Sequence, residues 1–310
     1  MAQLQLFKQQ AKLMGNQFQL SAVDNDAHRA NNIIEAGINE IKRIEKLLTT
    51  FSDDSETNLV NRNAGIAPVK VSRETFELIQ RAQRISGLTQ GAFDLSYGSV
   101  DKKLWNFDVN ANTLPSKETA LKMVRLINYK NIVLDGENCT VYLREKGMRI
   151  GFGGIGKGYA AEKAKTVMQQ MGCGSGIVNA SGDLATWGNQ PNGKPWTIGI
   201  VNPNSTTAIF SYMCVSNLAV ATSGNYEKFI IVDGKKYSHT INPKTGLPVS
   251  GIKSVTIITA NAEIADAMAT PVTIMGIKAG IDMINQVNNI EAIIIDDNNK
   301  VYSSKNIHFN

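Results

Sequence analysis

Gly151-Phe152-Gly153-Gly154-Ile155-Gly156-Lys157-Gly158 fits two nucleotide-binding patterns at once, and the fold turns on which of them it serves. As GxGxxG it has glycines at 151, 153 and 156, the spacing of a dinucleotide fingerprint. As GxxxxGK[ST] it supplies Gly151, Gly156 and Lys157, but Gly158 stands where that loop needs a hydroxyl. The fingerprint reading needs a strand, a turn and a helix at the head of a parallel βαβ array, with an acidic residue about twenty positions on. Here the segment lies in mid-chain behind a hairpin signal, and no acidic residue sits cleanly at that distance. The physics common to both patterns still applies. Glycines let backbone approach phosphate oxygens, N–H groups at the start of the helix after Lys157 favour an anion, and Lys157 adds a point charge. A turn that merely lets a helix pack on a sheet would use the same glycines.

Working outward, residues 132–134 and 140–143 flank Asp135-Gly136, and 229–232 and 236–238 flank Asp233-Gly234; both read as hairpins. Residues 14–23 alternate loosely as a strand, and 177–180, 196–201, 210–215, 254–259, 292–295 and 300–302 read as further strands. Ile34, Ile38, Ile41 and Leu48 mark a long amphipathic helix over 27–50. Residues 51–68 are polar and turn-rich. Ser72 caps a helix carrying Phe76, Ile79, Ala82 and Ile85 that stops near Gly87. Shorter helices are expected over 117–127 and 278–287, one runs from the glycine segment to about Gly172, and one over 262–275 is interrupted by Pro271. Hairpins mixed with helices, without regular βαβ alternation, predict an α+β fold of mainly antiparallel sheets with flanking helices.

With 43% hydrophobic residues in 310, the chain can bury a large core, and 19% charged residues argue against disorder. A net charge of +5 favours anionic ligands, while the absence of a Lys/Arg-rich tract argues against nucleic acid. Cys139, Cys173 and Cys214 have no paired or zinc-like spacing, which suits a reducing compartment. Residues 1–15 lack a leader pattern, and no run of about 18 apolar residues occurs, so no stable membrane insertion is expected. A cytoplasmic location follows for the sequence as written; a chain trimmed of its leader would read the same and work in the periplasm or at a membrane.

Further motifs lie around the glycine segment. Gly91-Ala92-Phe93-Asp94 precedes it, and Val178-Asn179-Ala180-Ser181-Gly182-Asp183 follows. Then come Ala221-Thr222-Ser223-Gly224-Asn225-Tyr226-Glu227, Tyr237-Ser238-His239-Thr240-Ile241-Asn242-Pro243, Thr245-Gly246 and Ala265-Asp266-Ala267-Met268-Ala269-Thr270. In this order and spacing, over about 14–275, the sequence resembles the ApbE family of FAD:protein FMN transferases. The resemblance implies an α+β fold over 1–310 as a single domain that can divide into two lobes with the FAD site between them. It implies FAD as substrate, a magnesium ion, and an acceptor protein with a reactive Ser or Thr, such as an electron-transport subunit. Carried over by position, it implies flavin-nucleotide contacts at Met14, Ala92, Phe93, Asp94, Gly151, Lys157, His239 and Thr240. It places magnesium at Asp266 and Thr270, with Gly154 and Ala269 contributing. Many members have Asp where Gly151 stands and Ala where Gly156 stands, which removes one expected nucleotide contact but leaves a backbone carbonyl at Gly154 unaffected.

The residues themselves allow this chemistry. Asp266 and Thr270 are four apart on a helix and share a face, and both are hard oxygen ligands suited to magnesium; a surface pair on a helix has the same spacing. Pro271 has no N–H, so the Ala267 carbonyl loses its helical partner, with a simple kink as the plainer reading. Asp266, Thr270, His239 and Lys157 form the candidate catalytic set. His239 is a candidate base for a hydroxyl, as is Asp94, although a lone histidine more often has a structural role. Phe93, Met14 and Tyr97 are a candidate wall for a flavin ring, or ordinary core. Asp183 and Thr222-Ser223-Gly224 read as loops near a nucleotide or as tight turns. An FAD pyrophosphatase and a non-catalytic FAD-binding protein fit much the same residues. A nicotinamide dehydrogenase would require the parallel sheet that the hairpins argue against.

Overall fold

The computed structural model describes residues 3–108, 111, 113–201, 209–224 and 229–307; Asn225, Tyr226, Glu227 and His308 lie outside the described residues. The chain opens with a hairpin of β1 (Gln5–Leu13) and β2 (Asn16–Asp24). Its turn is Met14-Gly15, both at positive φ (51° and 72°), the hairpin geometry that matches strand twist. The sequence suggests a strand beginning at Met14; Met14 is instead the turn. β1 escapes notice because Gln and Lys fill much of it, while Phe7, Ala11 and Leu13 reach the helix-side core and Leu6 packs on the other face.

Helix α1 (Ala27–Leu48) starts on Asp26, whose Oδ1 accepts the N–H groups of His28 and Arg29, and buries the predicted isoleucine stripe. Helix α2 (Glu56–Arg62) falls in the stretch expected to be turns, started by Ser55. Then come β3 (Val69–Lys70), α3 (Arg73–Leu88) capped by Ser72 as expected, and α4 (Lys117–Met123). The predicted hairpin of β4 (Ile132–Asp135) and β5 (Thr140–Leu143) pairs with β3 in a small sheet. After the glycine segment follow α5 (Gly156–Gln170), β6 (Gly176–Ala180), β7 (Asp183–Trp187), β8 (Trp196–Val201), β9 (Ile209–Val215) and β10 (Ala219–Gly224). The remainder is β11 (Phe229–Val232), β12 (Lys235–Ser238), β13 (Ile252–Thr259), α6 (Ala262–Met275), α7 (Ile277–Ile284), β14 (Ile290–Asp296) and β15 (Val301–Ser303).

Eight strands form one sheet in the order β1-β2-β6-β7-β10-β13-β14-β15, and every neighbouring pair is antiparallel. This is the α+β architecture the hairpins predict, and it removes the parallel-sheet dehydrogenase reading. Helices α1, α5 and α6 cover one face. The hairpin of β8 and β9 covers part of the other. The two-residue period shows the division: Phe18, Leu20 and Ala22 of β2 face the helices, while Val23 packs with Trp196 and Ile198. β13 is buried at every position, which explains the apolar and hydroxyl run over 254–259.

Two expectations are corrected. The segments around Asp183 and Thr222-Ser223-Gly224 are not loops but strands β7 and β10 in mid-sheet. Short half-polar strands carry little periodicity, and here Thr186 and Thr222 share one face with Leu184 and Val220, while Ala185, Ala219, Ala221 and Ser223 lie on the other. Helix α6 also runs through Pro271 without ending. An internal proline costs a helix about 3 kcal/mol; the burial of Ala267, Met268 and Val272 around it offsets that cost.

Candidate active site

The glycine segment ends where α5 crosses α6, and the crossing is unusually close. A Cβ on Gly158 would stand 2.1 Å from the Ala262 carbonyl oxygen and 2.6 Å from Asp266 Cβ. Glycine is therefore required there by packing, which is why the P-loop hydroxyl is missing. α5 has no side-chain N-cap of its own, since Ile155 precedes it. Asp266 does that work from α6: its Oδ2 accepts the Gly158 N–H at 2.8 Å. α5 returns the contact, with Glu162 Oε2 accepting the Ala262 N–H at 2.8 Å. The sequence suggests a ligand anion at this helix start. The anion found there is the protein's own Asp266 carboxylate, which satisfies the orphan N–H groups and the helix dipole.

Two cavities meet at the glycine segment and share Gly151 and Gly153 as wall. The first, about 380 Å³, is lined by Ala92, Phe93, Asp94, Gly151, Gly154, His239, Thr240 and Thr270 from the expected set. Tyr97, Gly98, Ser223 and Ile274 complete its wall. The second, about 510 Å³, holds Met14 and Lys157 with Leu48, Phe51 and Phe152. Met14 thus lies across the glycine segment from Phe93 and Tyr97, and the single flavin wall expected of these three is divided between two cavities. Phe51, fully exposed within a polar stretch, has no periodicity to mark it. Ser223, expected in a loop near a nucleotide, reaches the first cavity from strand β10 instead.

The walls of the first cavity are tied together. Asp94 Oδ1 accepts from the backbone and hydroxyl of Ser96 (2.8 and 2.6 Å), and Oδ2 accepts the Tyr129 N–H at 2.7 Å. Burial pushes this carboxyl up, against those hydrogen bonds. With three donors already on it, Asp94 anchors its loop. Tyr97 Oη accepts the Ile241 N–H at 3.1 Å, joining that loop to the segment that carries His239. Backbone pairing of Ser238 and Thr240 with Val249 holds His239 at the cavity, where its ring lies edge-on to Phe107 at 6.2 Å.

Charge is concentrated beneath the glycine segment. Lys157 Nζ is ion-paired with Asp183, whose Oδ1 accepts the Thr222 N–H at 3.3 Å. Asp266 is buried at 8% exposure. Burial, and then the negative charge of Asp183, push its carboxyl up to about 7, with Lys157 and the α5 backbone N–H groups acting the other way. Burial works against the Lys157 ammonium, but Asp183 and Asp266 outweigh it and raise its pKa, so it stays charged.

Among the described residues no three His, Cys, Asp or Glu side chains gather as a metal cage. Magnesium does not need one, since it is commonly held by one or two carboxylates together with waters and phosphate oxygens. Asp266, the Thr270 hydroxyl one turn on, and the Gly154 backbone are hard oxygen donors of that kind, so the residues fit the ion. The Ala269 carbonyl, also expected to contribute, already accepts the Thr273 hydroxyl at 3.0 Å. Thr270 is half-buried and lines the first cavity, whereas Asp266 and Ala269 are buried and line neither cavity.

Comparison with known proteins agrees with this architecture. A Thermotoga maritima ApbE protein of known crystal structure superposes with a TM-score of 0.86 at 30% identity, over 97% of both chains. The Pseudomonas stutzeri flavinyl transferase ApbE shares the fold, with a TM-score of 0.84 at 24% identity, over 98% of this chain and 96% of that one. Among curated relatives, a Klebsiella pneumoniae protein named FAD:protein FMN transferase is 29% identical over 98% of this chain and 93% of its own length. An Escherichia coli K12 protein of the same name is 28% identical over 86% of this chain and 78% of its own. Residues 14–294 match the ApbE family, whose span takes in every residue gathered around the two cavities, and the chain belongs to that family.

Proposed function

We propose that this chain is an FAD:protein FMN transferase, which moves the FMN moiety of FAD onto a Ser or Thr hydroxyl of an acceptor protein and releases AMP. The observation that carries this reading is the α5–α6 crossing, which sets a carboxylate, a hydroxyl and an ammonium around a bare glycine segment between two cavities. A dinucleotide has two ends, and two adjoining cavities with a side-chain-free wall between them suit it. The names of the curated relatives support the same reading.

Phosphoryl transfer needs positioning and charge neutralisation more than covalent help from the enzyme. Lys157 holds the pyrophosphate at the glycine segment, and Phe93 and Tyr97 give the first cavity an apolar side for a ring. Asp266 and Thr270, with the Gly154 carbonyl, would hold magnesium, and the bound ion supplies Lewis-acid stabilisation of the charge that grows on the leaving phosphate. The acceptor hydroxyl oxygen bonds to the FMN phosphorus as the phosphorus–oxygen bond to AMP breaks. Its proton passes to a ring nitrogen of His239, which lines the first cavity. An electron-transport subunit with an exposed Thr is the acceptor class this chemistry suits.

The test is a mass spectrum of a Thr-containing acceptor protein incubated with the enzyme, FAD and magnesium, with and without chelator. The expected result is a magnesium-dependent gain of one FMN residue with AMP released. FMN and AMP without an adduct would assign the site to pyrophosphate hydrolysis, and intact FAD throughout would leave a binding protein.

A further inference from the structure

Asp183 opens β7 immediately after the Ser181-Gly182 turn, both residues at positive φ (56° and 102°). Asn179 Oδ1 closes that turn by accepting the Gly182 N–H at 2.8 Å. The strand period then points Asp183 to the same side as Ala185 and Trp187, toward α5. There it is only 3% exposed, with one oxygen on the Thr222 N–H and the other on Lys157. Its place is fixed from two strands, β7 and β10, both in mid-sheet.

We propose that Asp183 is a positioning residue for the transfer: its carboxylate fixes the Lys157 ammonium at the glycine segment, so that the charge meets the FAD pyrophosphate at one set place. The inference rests on the reading of Lys157 as a pyrophosphate ligand. A lysine is a point charge on a flexible four-carbon stem and has no geometry of its own to aim it. Asp266 acts on the ammonium through its charge, but the ion pair that fixes the ammonium is with Asp183, and Asp266 Oδ2 takes the Gly158 N–H. A buried ion pair is also a poor device for stability alone, since two apolar side chains of the same volume commonly do as well. The Lys157 side chain keeps 28% of its surface exposed and lines the second cavity, whereas that of Asp183 keeps 4%. The pair is therefore open on the lysine side only, as a clamp for a ligand-binding group requires.

A double-mutant cycle on FAD affinity, measured by calorimetry on the full chain in magnesium, tests this. Asp183→Asn and Lys157→Ala should each weaken FAD about tenfold, and the double variant should bind no worse than Lys157→Ala, because a positioning residue has nothing left to position. The same loss from Asp183→Asn with and without Lys157 would overturn the inference, as would an Asp183→Asn variant with unchanged affinity. Lys157→Ala without effect would instead overturn the reading of Lys157 and take the inference with it. Should Asp183→Asn fail to fold, Asp183→Glu keeps the charge and displaces it by one methylene. Weakened FAD binding by a folded Glu variant supports positioning, and wild-type binding by it refutes it.

Discussion

Substituting Gly158 by alanine sets two effects of opposite sign against each other. By helix propensity alone the change would stabilise α5 by up to about 1 kcal/mol. The crossing opposes it. The new Cβ would stand 2.1 Å from a backbone oxygen and 2.6 Å from Asp266 Cβ, and neither can be relieved by turning a flexible side-chain end. Overpacking of this kind costs about 3 kcal/mol, so the net expectation is a loss of about 2 kcal/mol. For 310 residues at roughly 2 cal/mol/K of unfolding entropy each, that lowers Tm by about 3 °C. The clash also drives α6 away from α5 and breaks the Asp266–Gly158 hydrogen bond, so metal-dependent transfer should fall further than stability does. Differential scanning calorimetry of Gly158→Ala beside Gly153→Ala makes the comparison, because a Cβ at Gly153 meets nothing within 4 Å. A Tm for Gly158→Ala equal to or above wild type would refute the close-approach argument and the account of the missing hydroxyl with it.

Two further variants separate chemistry from fold. Asp266→Asn keeps an oxygen to accept the Gly158 N–H but loses the charge; transfer should drop roughly 100-fold or more, the equivalent of about 3 kcal/mol of metal stabilisation, read from the acceptor adduct. Its metal-free stability should lose the pH dependence that the wild-type carboxyl imposes. The wild-type carboxyl, raised to about 7 in the fold, binds more protons folded than unfolded between about pH 4 and 7. Its contribution is therefore fully present at acid pH and lost as pH rises through 7. In chelator, the Asn variant should melt above wild type at pH 8, with the gap closing toward pH 4; a gap that widens in acid would refute the sign. Gly151→Asp, which restores the residue common in the family, meets open space at its Cβ and should leave Tm within about 1 °C; a larger loss in a thermal melt would show that the bare segment is needed for packing.

What the sequence disclosed follows from which signals are local. The isoleucine stripe of α1, the Ser72 cap and the Asp233-Gly234 turn are written within a few residues of where they act, and all three appear as read. So does the antiparallel character, because hairpin turns declare it. The sequence motifs also gathered as a set: the expected contacts around Ala92, Gly151, His239 and Thr270 line one cavity, with Met14 and Lys157 in the next. What stayed hidden depends on partners far along the chain. Nothing near residue 158 says that a carboxylate 108 positions on will cap its helix. Nothing near Asp183 distinguishes a turn residue from a strand residue aimed at Lys157. β1 and β10 were missed because their exposed or hydroxyl-bearing faces dilute the alternation that marks a strand.

The exchange of carboxylates between α5 and α6 has a consequence for motion. Each helix start is held shut by a side chain from the other, Asp266 on one and Glu162 on the other. Glu162 and Asp266 sit in the second turns of their own helices, so opening that reaches past either first turn releases the acceptor that protects the other start, and the two ends then open as one unit. The amide hydrogens of Gly158 and Ala262, though a hundred residues apart, should then trade with solvent at a common rate. The floor of the glycine segment would behave as a single latch, closed or open, with no half-formed state between.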